Sequence, residues 1–143
     1  METIIKTANT DEQIALCWEA MHLLRPMLKE ENFVAMVRLQ QSEGYILNYI
    51  EDNGMAVAVA GYRFRHMLLC GKMLYIDDLS TLEESRGKGY ASLLLRHIDA
   101  VALSQNCKTV QLDSGAERTV AHKLYFKEGF TIGAFHFAKP VKL

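Results

Sequence analysis

The stretch from Leu74 to Ala102 constrains the fold more than any other part of this sequence. Leu74-Tyr75-Ile76-Asp77-Asp78-Leu79-Ser80-Thr81 reads as an apolar strand carrying two acids, and a short polar link leads from it to Arg86-Gly87-Lys88-Gly89-Tyr90-Ala91. Beyond this, Tyr90, Leu94, Ile98, Val101 and Ala102 recur at helical spacing, with Arg96, Asp99 and Gln105 away from the stripe. A strand that empties through glycines into a helix leaves unpaired N–H groups at the helix start, where the helix dipole adds partial positive charge. Such a start is a cradle for phosphate. Gly87 and Gly89 admit a ligand close to the backbone, and Arg86 and Lys88 add full charges beside the same amides.

Spacing excludes two kinds of phosphate loop. A P-loop reads G-x-x-x-x-G-K followed by Ser or Thr, and here Gly89 follows Lys88, so no hydroxyl is supplied for magnesium. A dinucleotide fingerprint, G-x-G-x-x-G, requires glycine where Ser92 stands.

The segment instead resembles the acyl-CoA site of the GCN5-related N-acetyltransferase (GNAT) family. That motif reads Gln or Arg, two residues, Gly, one residue, then Gly or Ala, and it is matched by Arg86, Gly89 and Ala91. Ala121-His122-Lys123-Leu124-Tyr125-Phe126-Lys127-Glu128-Gly129-Phe130 resembles a second family segment, in which Tyr and a later Gly-Phe pair keep this spacing. The resemblance covers about residues 70–138, and the N-terminal half is compatible with it. It implies an α/β (α+β) fold with a mixed, mostly antiparallel, twisted sheet of six to seven strands and about four helices. A parallel pair of strands is splayed at the CoA site.

Read in order, residues 2–7 form a short first strand, and Thr10-Asp11-Glu12-Gln13 has the form of a capping box. A helix follows to about Leu24 with Ile14, Cys17, Trp18 and Met21 on one face, and Pro26 breaks it. A second helix, about residues 29–41, buries Phe33, Met36 and Val37 and ends at Gly44. Residues 45–51 and 55–65 are strands joined through Asp52-Asn53-Gly54, a tight primed turn. The run Ala56 to Tyr62 is apolar on both sides, which suits a central strand. Cys70-Gly71 makes the next turn. Residues 109–113 are expected to form a strand parallel to the one at 74–81, and residues 117–127 a helix with Leu124 and Phe126 in the core. The alternating segment 131–138, through Phe135 and Phe137, is read as the last strand, with Pro140 at its exit.

At 143 residues, half of them apolar, the chain is expected to be one domain, 1–143, with a core of its own. A formal net charge of −1 gives no overall attraction to nucleic acid or anionic membrane. The apolar runs are too short to cross a bilayer, and Met1-Glu2-Thr3 does not open a signal peptide. Three cysteines, Cys17, Cys70 and Cys107, lack metal-ligand spacing and are expected to be free thiols in a cytoplasmic protein without a metal.

What the resemblance implies about chemistry is specific. Acetyl-CoA is the co-substrate and a primary amine of a small molecule the acceptor, in direct attack within a ternary complex. Leu79, Ser80 and Thr81 line the thioester arm, with the Leu79 N–H as oxyanion donor. Arg86, Gly87, Lys88, Gly89, Tyr90, Ala91 and Ser92 hold the diphosphate. Thr81-Leu82-Glu83 departs from the β-branched residue and proline that the family often has there, which leaves main-chain bonding intact. Tyr125 is the general acid for the departing thiolate, a phenol with a pKa of about 10 being protonated at neutral pH. Asp77 is the candidate base, often working through water. Asp77 and Asp78 face opposite sides of a strand unless a bulge intervenes, so Asp78 or water alone stays open as the base. Two alternatives stand beside this activity: a non-catalytic acyl-CoA-binding module and an acetyltransferase of protein or peptide amines. A homodimer is compatible with the apolar last strand.

Overall fold

The computed structural model describes residues 3–142, so Glu2 of the expected first strand lies outside the described residues. The chain divides into two compact units, Met1–Leu112 and Asp113–Leu143.

The first unit is a five-stranded sheet with helices. Strand β1 (Ile5–Thr7) precedes helices α1 (Asp11–Leu16), α2 (Trp18–Leu24) and α3 (Glu30–Ser42). Strands β2 (Ile46–Asp52), β3 (Met55–Met67) and β4 (Gly71–Thr81) follow, then a single 3-10 turn at Glu83–Ser85, helix α4 (Tyr90–Ser104) and strand β5 (Thr109–Leu112). The strands lie in chain order, β1 to β4 antiparallel and β4 with β5 parallel. The parallel pair and the central place of β3, whose residues 56–62 are all buried, agree with the sequence.

Local signals explain most element ends. Thr10 caps α1 in a complete capping box: its hydroxyl accepts from the Gln13 N–H at 3.1 Å, and the Gln13 side chain accepts from the Thr10 N–H at 3.0 Å. Asn53 and Gly54 take the positive φ of a primed turn, 52° and 77°. The helix expected to run unbroken to Leu24 is interrupted at Cys17. The Cys17 thiol lies 3.5 Å from the Gln13 carbonyl, while its N–H reaches back only to Ile14 and Ala15, so the turn tightens there.

The core lies between helices and sheet. Ile14, Cys17, Trp18 and Met21 supply it from α1 and α2, Phe33 and Val37 from α3, and Leu94, Leu95, Ile98 and Ala102 from α4. Trp18 packs edge-on to Phe33, with ring centroids 5.3 Å apart. Met36 turns out to be exposed.

The second unit contains helix α5 (Thr119–Lys127). Its expected start at residue 117 moves two residues on, and Phe126 is exposed rather than core. Among the described residues there are five strands instead of six or seven and five α-helices instead of about four. The strand expected at 131–138 is absent, because alternation gives a segment a strand-like face but only a ladder partner makes it a strand.

Candidate active site

The cradle is built from local chemistry. Arg86 closes the 3-10 turn, its N–H bonding to the Glu83 carbonyl at 3.2 Å. Gly87 and Gly89 then adopt φ of 80° and 83°, which side-chain-bearing residues rarely take, and both open onto empty space. Gly89 is the N-cap of the 15-residue α4, and no side chain caps that helix. The first intrahelical bond runs from the Leu93 N–H to the Gly89 carbonyl at 3.0 Å, so the N–H groups of Tyr90, Ala91 and Ser92 precede the helical ladder. No acid occupies the first turn of α4, and Arg86 and Lys88 stand exposed beside it. The arrangement suits a diphosphate.

Strand β4 arrives at this cradle with one edge open. Its pairing with β5 runs from Met73 to Ile76 and stops, whereas its pairing with β3 continues to Thr81. From Asp77 to Thr81 the far edge of β4 therefore has no strand beside it among the described residues. Leu79 and Thr81, two apart, direct their main-chain groups to the same edge. Leu79 and Ser80 are buried and Thr81 is half-buried.

Asp77 and Asp78 sit at an irregularity that sequence alone left open. Gly61 pairs with Asp78 and Tyr62 with Ile76, so Asp77 is the extra residue of a bulge. Both carboxylates join one cluster. Arg63 grips Asp77, Nε lying 3.0 Å from each carboxylate oxygen and an Nη 2.6 Å from Oδ2, and the same Nη donates to Gln40 of α3 at 2.8 Å. Asp78 accepts from the Tyr45 hydroxyl at 2.7 Å and from Arg25 Nε at 3.0 Å. Arg25 also donates to the Asp77 carbonyl at 2.9 Å, and the Arg63 guanidinium lies over the Tyr45 ring at 5.3 Å. Burial and, after it, the Asp78 charge push the Tyr45 phenol well above its usual pKa, so it stays a donor.

Arg25 lies where the resemblance puts a wall of the acceptor site, whereas Gln40, Tyr45, Gly61 and Arg63 join this cluster without having been singled out from sequence. One signal for them existed. Gly61 interrupts an otherwise apolar strand, and a lone strand glycine marks a bulge or a close approach. Here it marks both, since a Cβ at Gly61 would lie 1.7 Å from the Tyr45 hydroxyl.

Tyr125 belongs to the second unit. It is buried on α5, its ring edge-on to Phe130 at 5.9 Å, and its carbonyl accepts the Phe130 N–H at 2.9 Å. The Gly-Phe pair of the motif therefore closes the helix back onto the tyrosine. His122, one turn earlier, is held by the Ser114 hydroxyl at 3.2 Å and the Gly115 carbonyl at 2.9 Å, so Ser114 engages His122 and the cap position falls to Arg118 without a side-chain bond. Cys17 is buried and its thiol is pushed up to about 12 by loss of solvent, which makes it inert as a nucleophile near neutral pH.

Comparisons with known proteins agree with this architecture. A family model described as the acetyltransferase (GNAT) family matches residues 9–130. An uncharacterised N-acetyltransferase of Bacillus subtilis strain 168 is 33% identical over 139 residues, covering 96% of this chain and 98% of the relative. Among solved structures, AAC(6')-Iy in complex with the bisubstrate analogue CoA-S-monomethyl-acetylneamine superposes with a TM-score of 0.85 at 16% identity, with all of both chains covered. A protein described as an acetyltransferase of Agrobacterium tumefaciens strain C58 gives 0.82 at 24% identity, over 96% of this chain and 99% of that one. No helix among the described residues is long and apolar enough to cross a membrane. With a match across most of its length and a relative one-third identical from end to end, the chain belongs to the GNAT acetyltransferase family and is an N-acetyltransferase.

Proposed function

We propose that this cytoplasmic protein, acting as one domain over residues 1–143, transfers the acetyl group of acetyl-CoA to a primary amine of a small molecule by direct attack in a ternary complex. The observation that carries the proposal is the open edge of β4 at residues 77–81 leading into the uncapped start of α4. Leu79 and Thr81 would bind the pantetheine arm through the main chain, with Ser80 between them. The N–H of Leu79 would stabilise the oxyanion, and the residues from Arg86 to Ser92 would take the diphosphate.

The carboxylate of Asp77 keeps lone pairs that Arg63 does not use, and we assign it the ammonium proton of the acceptor, passed through one water. The cluster sets two carboxylates against two guanidiniums and so has no surplus charge to draw a polycation. A compact amine fits that balance. Tyr125, assigned from its place in the motif, would protonate the departing thiolate.

The test is thiol release from acetyl-CoA over a panel of small primary amines, with CoA binding followed by calorimetry. Tyr125→Phe is expected to lower kcat by roughly 10²–10⁴-fold with CoA affinity kept. Arg86→Ala is expected to weaken CoA binding by about ten- to a hundredfold, the value of a hydrogen bond to a charged group. Normal turnover by Tyr125→Phe removes the acid assignment, and absence of CoA binding by the folded protein removes the whole reading.

A further inference from the structure

We propose that Asp78 is a positioning residue for acetyl transfer: held between Tyr45 and Arg25, it pins the bulge of β4 that turns the N–H of Leu79 to the open edge. The inference rests on the reading of Leu79 as oxyanion donor, and every residue in it lies in the first unit.

The bulge changes which edge of β4 each residue serves. Upstream of it, the Lys72 carbonyl accepts the Lys108 N–H at 2.7 Å, so Lys72, Leu74 and Ile76 direct their main-chain groups to the side of β5. Downstream, the Leu82 N–H reaches the Val57 carbonyl at 2.9 Å, so Leu82, Ser80 and Asp78 face β3. Both sets are even-numbered yet they serve opposite edges, and the extra residue between them, Asp77, brings the change about. In an unbroken strand Leu79 would give its N–H to β3. With the bulge, that N–H points to the edge that β5 leaves after Ile76.

Three hydrogen bonds from outside the two strands hold the bulge. Arg25 staples its two acids together, donating through Nη2 to the Asp77 carbonyl at 2.9 Å and through Nε to one Asp78 carboxylate oxygen at 3.0 Å. The other Asp78 oxygen accepts from the Tyr45 hydroxyl at 2.7 Å. That hydroxyl occupies the place a Cβ on Gly61 would take, and Gly61 is the residue paired with Asp78. The clamp therefore closes on both strands at the step where the register shifts. Asp78 has one oxygen committed to each neighbour and its side chain is only 15% exposed, which suits a fixed strut rather than a group that meets the acceptor. Without its carboxylate the buried Tyr45 hydroxyl loses its partner and Arg25 keeps only the Asp77 carbonyl, so two of the three ties are gone.

The test uses the full chain and needs no acceptor. Amide hydrogen exchange resolved by NMR reads the edge each residue serves, and the resonance of bound acetyl-CoA carrying carbon-13 at the acetyl carbonyl reads how far that carbonyl is polarised. In the wild type the Leu79 amide should exchange faster than that of Ser80, and the bound carbonyl should move downfield of free acetyl-CoA. Asp78→Ala should bring the Leu79 amide to the protection of Ser80 and lose most of the carbonyl shift. The diphosphate cradle is untouched, so acetyl-CoA affinity should change by less than about threefold, under 1 kcal/mol. Tyr45→Phe and Arg25→Ala, which leave the Asp78 carboxylate in place, should each lose part of the shift and decide the matter where Asp78→Ala folds poorly. Wild-type protein that fails to bind acetyl-CoA, or binds it without a carbonyl shift, would remove the oxyanion reading and this proposal with it. A shift kept in full by the variants, or a Leu79 amide as protected as Ser80 in the wild type, would overturn the proposal alone.

Discussion

Gly61→Ala is the smallest change that tests whether the acid cluster on β4 is packed as described. The added Cβ would lie 1.7, 2.2 and 2.6 Å from Oη, Cζ and Cε1 of Tyr45, all below van der Waals contact. Tyr45 is buried, 5% exposed, so its ring has no free direction in which to swing. Forced accommodation of a methyl group in a packed core costs about 1–3 kcal/mol. The displaced hydroxyl would also lose its 2.7 Å bond to the Asp78 carboxylate, a hydrogen bond to a charged group worth about 1.5–3 kcal/mol. Against this, alanine is better than glycine in a strand by roughly 0.5–1 kcal/mol, and Gly61 has no positive φ that alanine would strain. The net expectation is a loss of about 2–5 kcal/mol. With a urea m-value of about 2 kcal/mol/M, a loss in the middle of that range moves the unfolding midpoint down by roughly 1.75 M. Equilibrium urea unfolding followed by fluorescence reads this directly. In a Tyr45→Leu background the added methyl has room, so the pair should show a favourable coupling in a double-mutant cycle. A midpoint unchanged or raised by Gly61→Ala alone would refute the packing argument.

Two further outcomes follow from the same structure. Gly89→Ala places a Cβ on a backbone at φ of 83°, a strain of about 1–2 kcal/mol at the start of α4. Because the space above Gly89 is open, the fold should survive with a modestly lower melting temperature, and CoA affinity by calorimetry should fall further than stability does. Cys17 gives an alkaline signature. Its folded pKa of about 12 lies above the ordinary 9.0, so the protonated thiol favours the folded chain. That stability is fully present below pH 9 and is lost as pH rises towards 12, by about 1.4 kcal/mol per pH unit. Between pH 9 and 10, before the Tyr45 phenol enters, Cys17→Ala should flatten the fall in unfolding free energy measured by denaturant titration.

Features that depend on neighbours along the chain can be read from the residues alone. Thr10 and Gln13 are three residues apart and cap a helix wherever that helix packs. Asn53-Gly54 turns because two adjacent residues tolerate positive φ, and Gly87 and Gly89 open the start of α4 for the same reason. The strand–cradle–helix unit, the parallel return strand and the family were legible because their signals lie within a few turns of one another. The way the acids of β4 are held comes instead from contacts between segments far apart in the chain. Arg25 reaches Asp78 across 53 residues, Tyr45 reaches it across 33, and Arg63 meets Asp77 across 14. The bulge that makes Asp77 the extra residue exists only in the register between β3 and β4. Register is a property of two strands, and no window on either one contains it. The segment 131–138 shows the same limit from the other side. Its alternation is written in the sequence, but a ladder needs a partner, and a partner is not a local property.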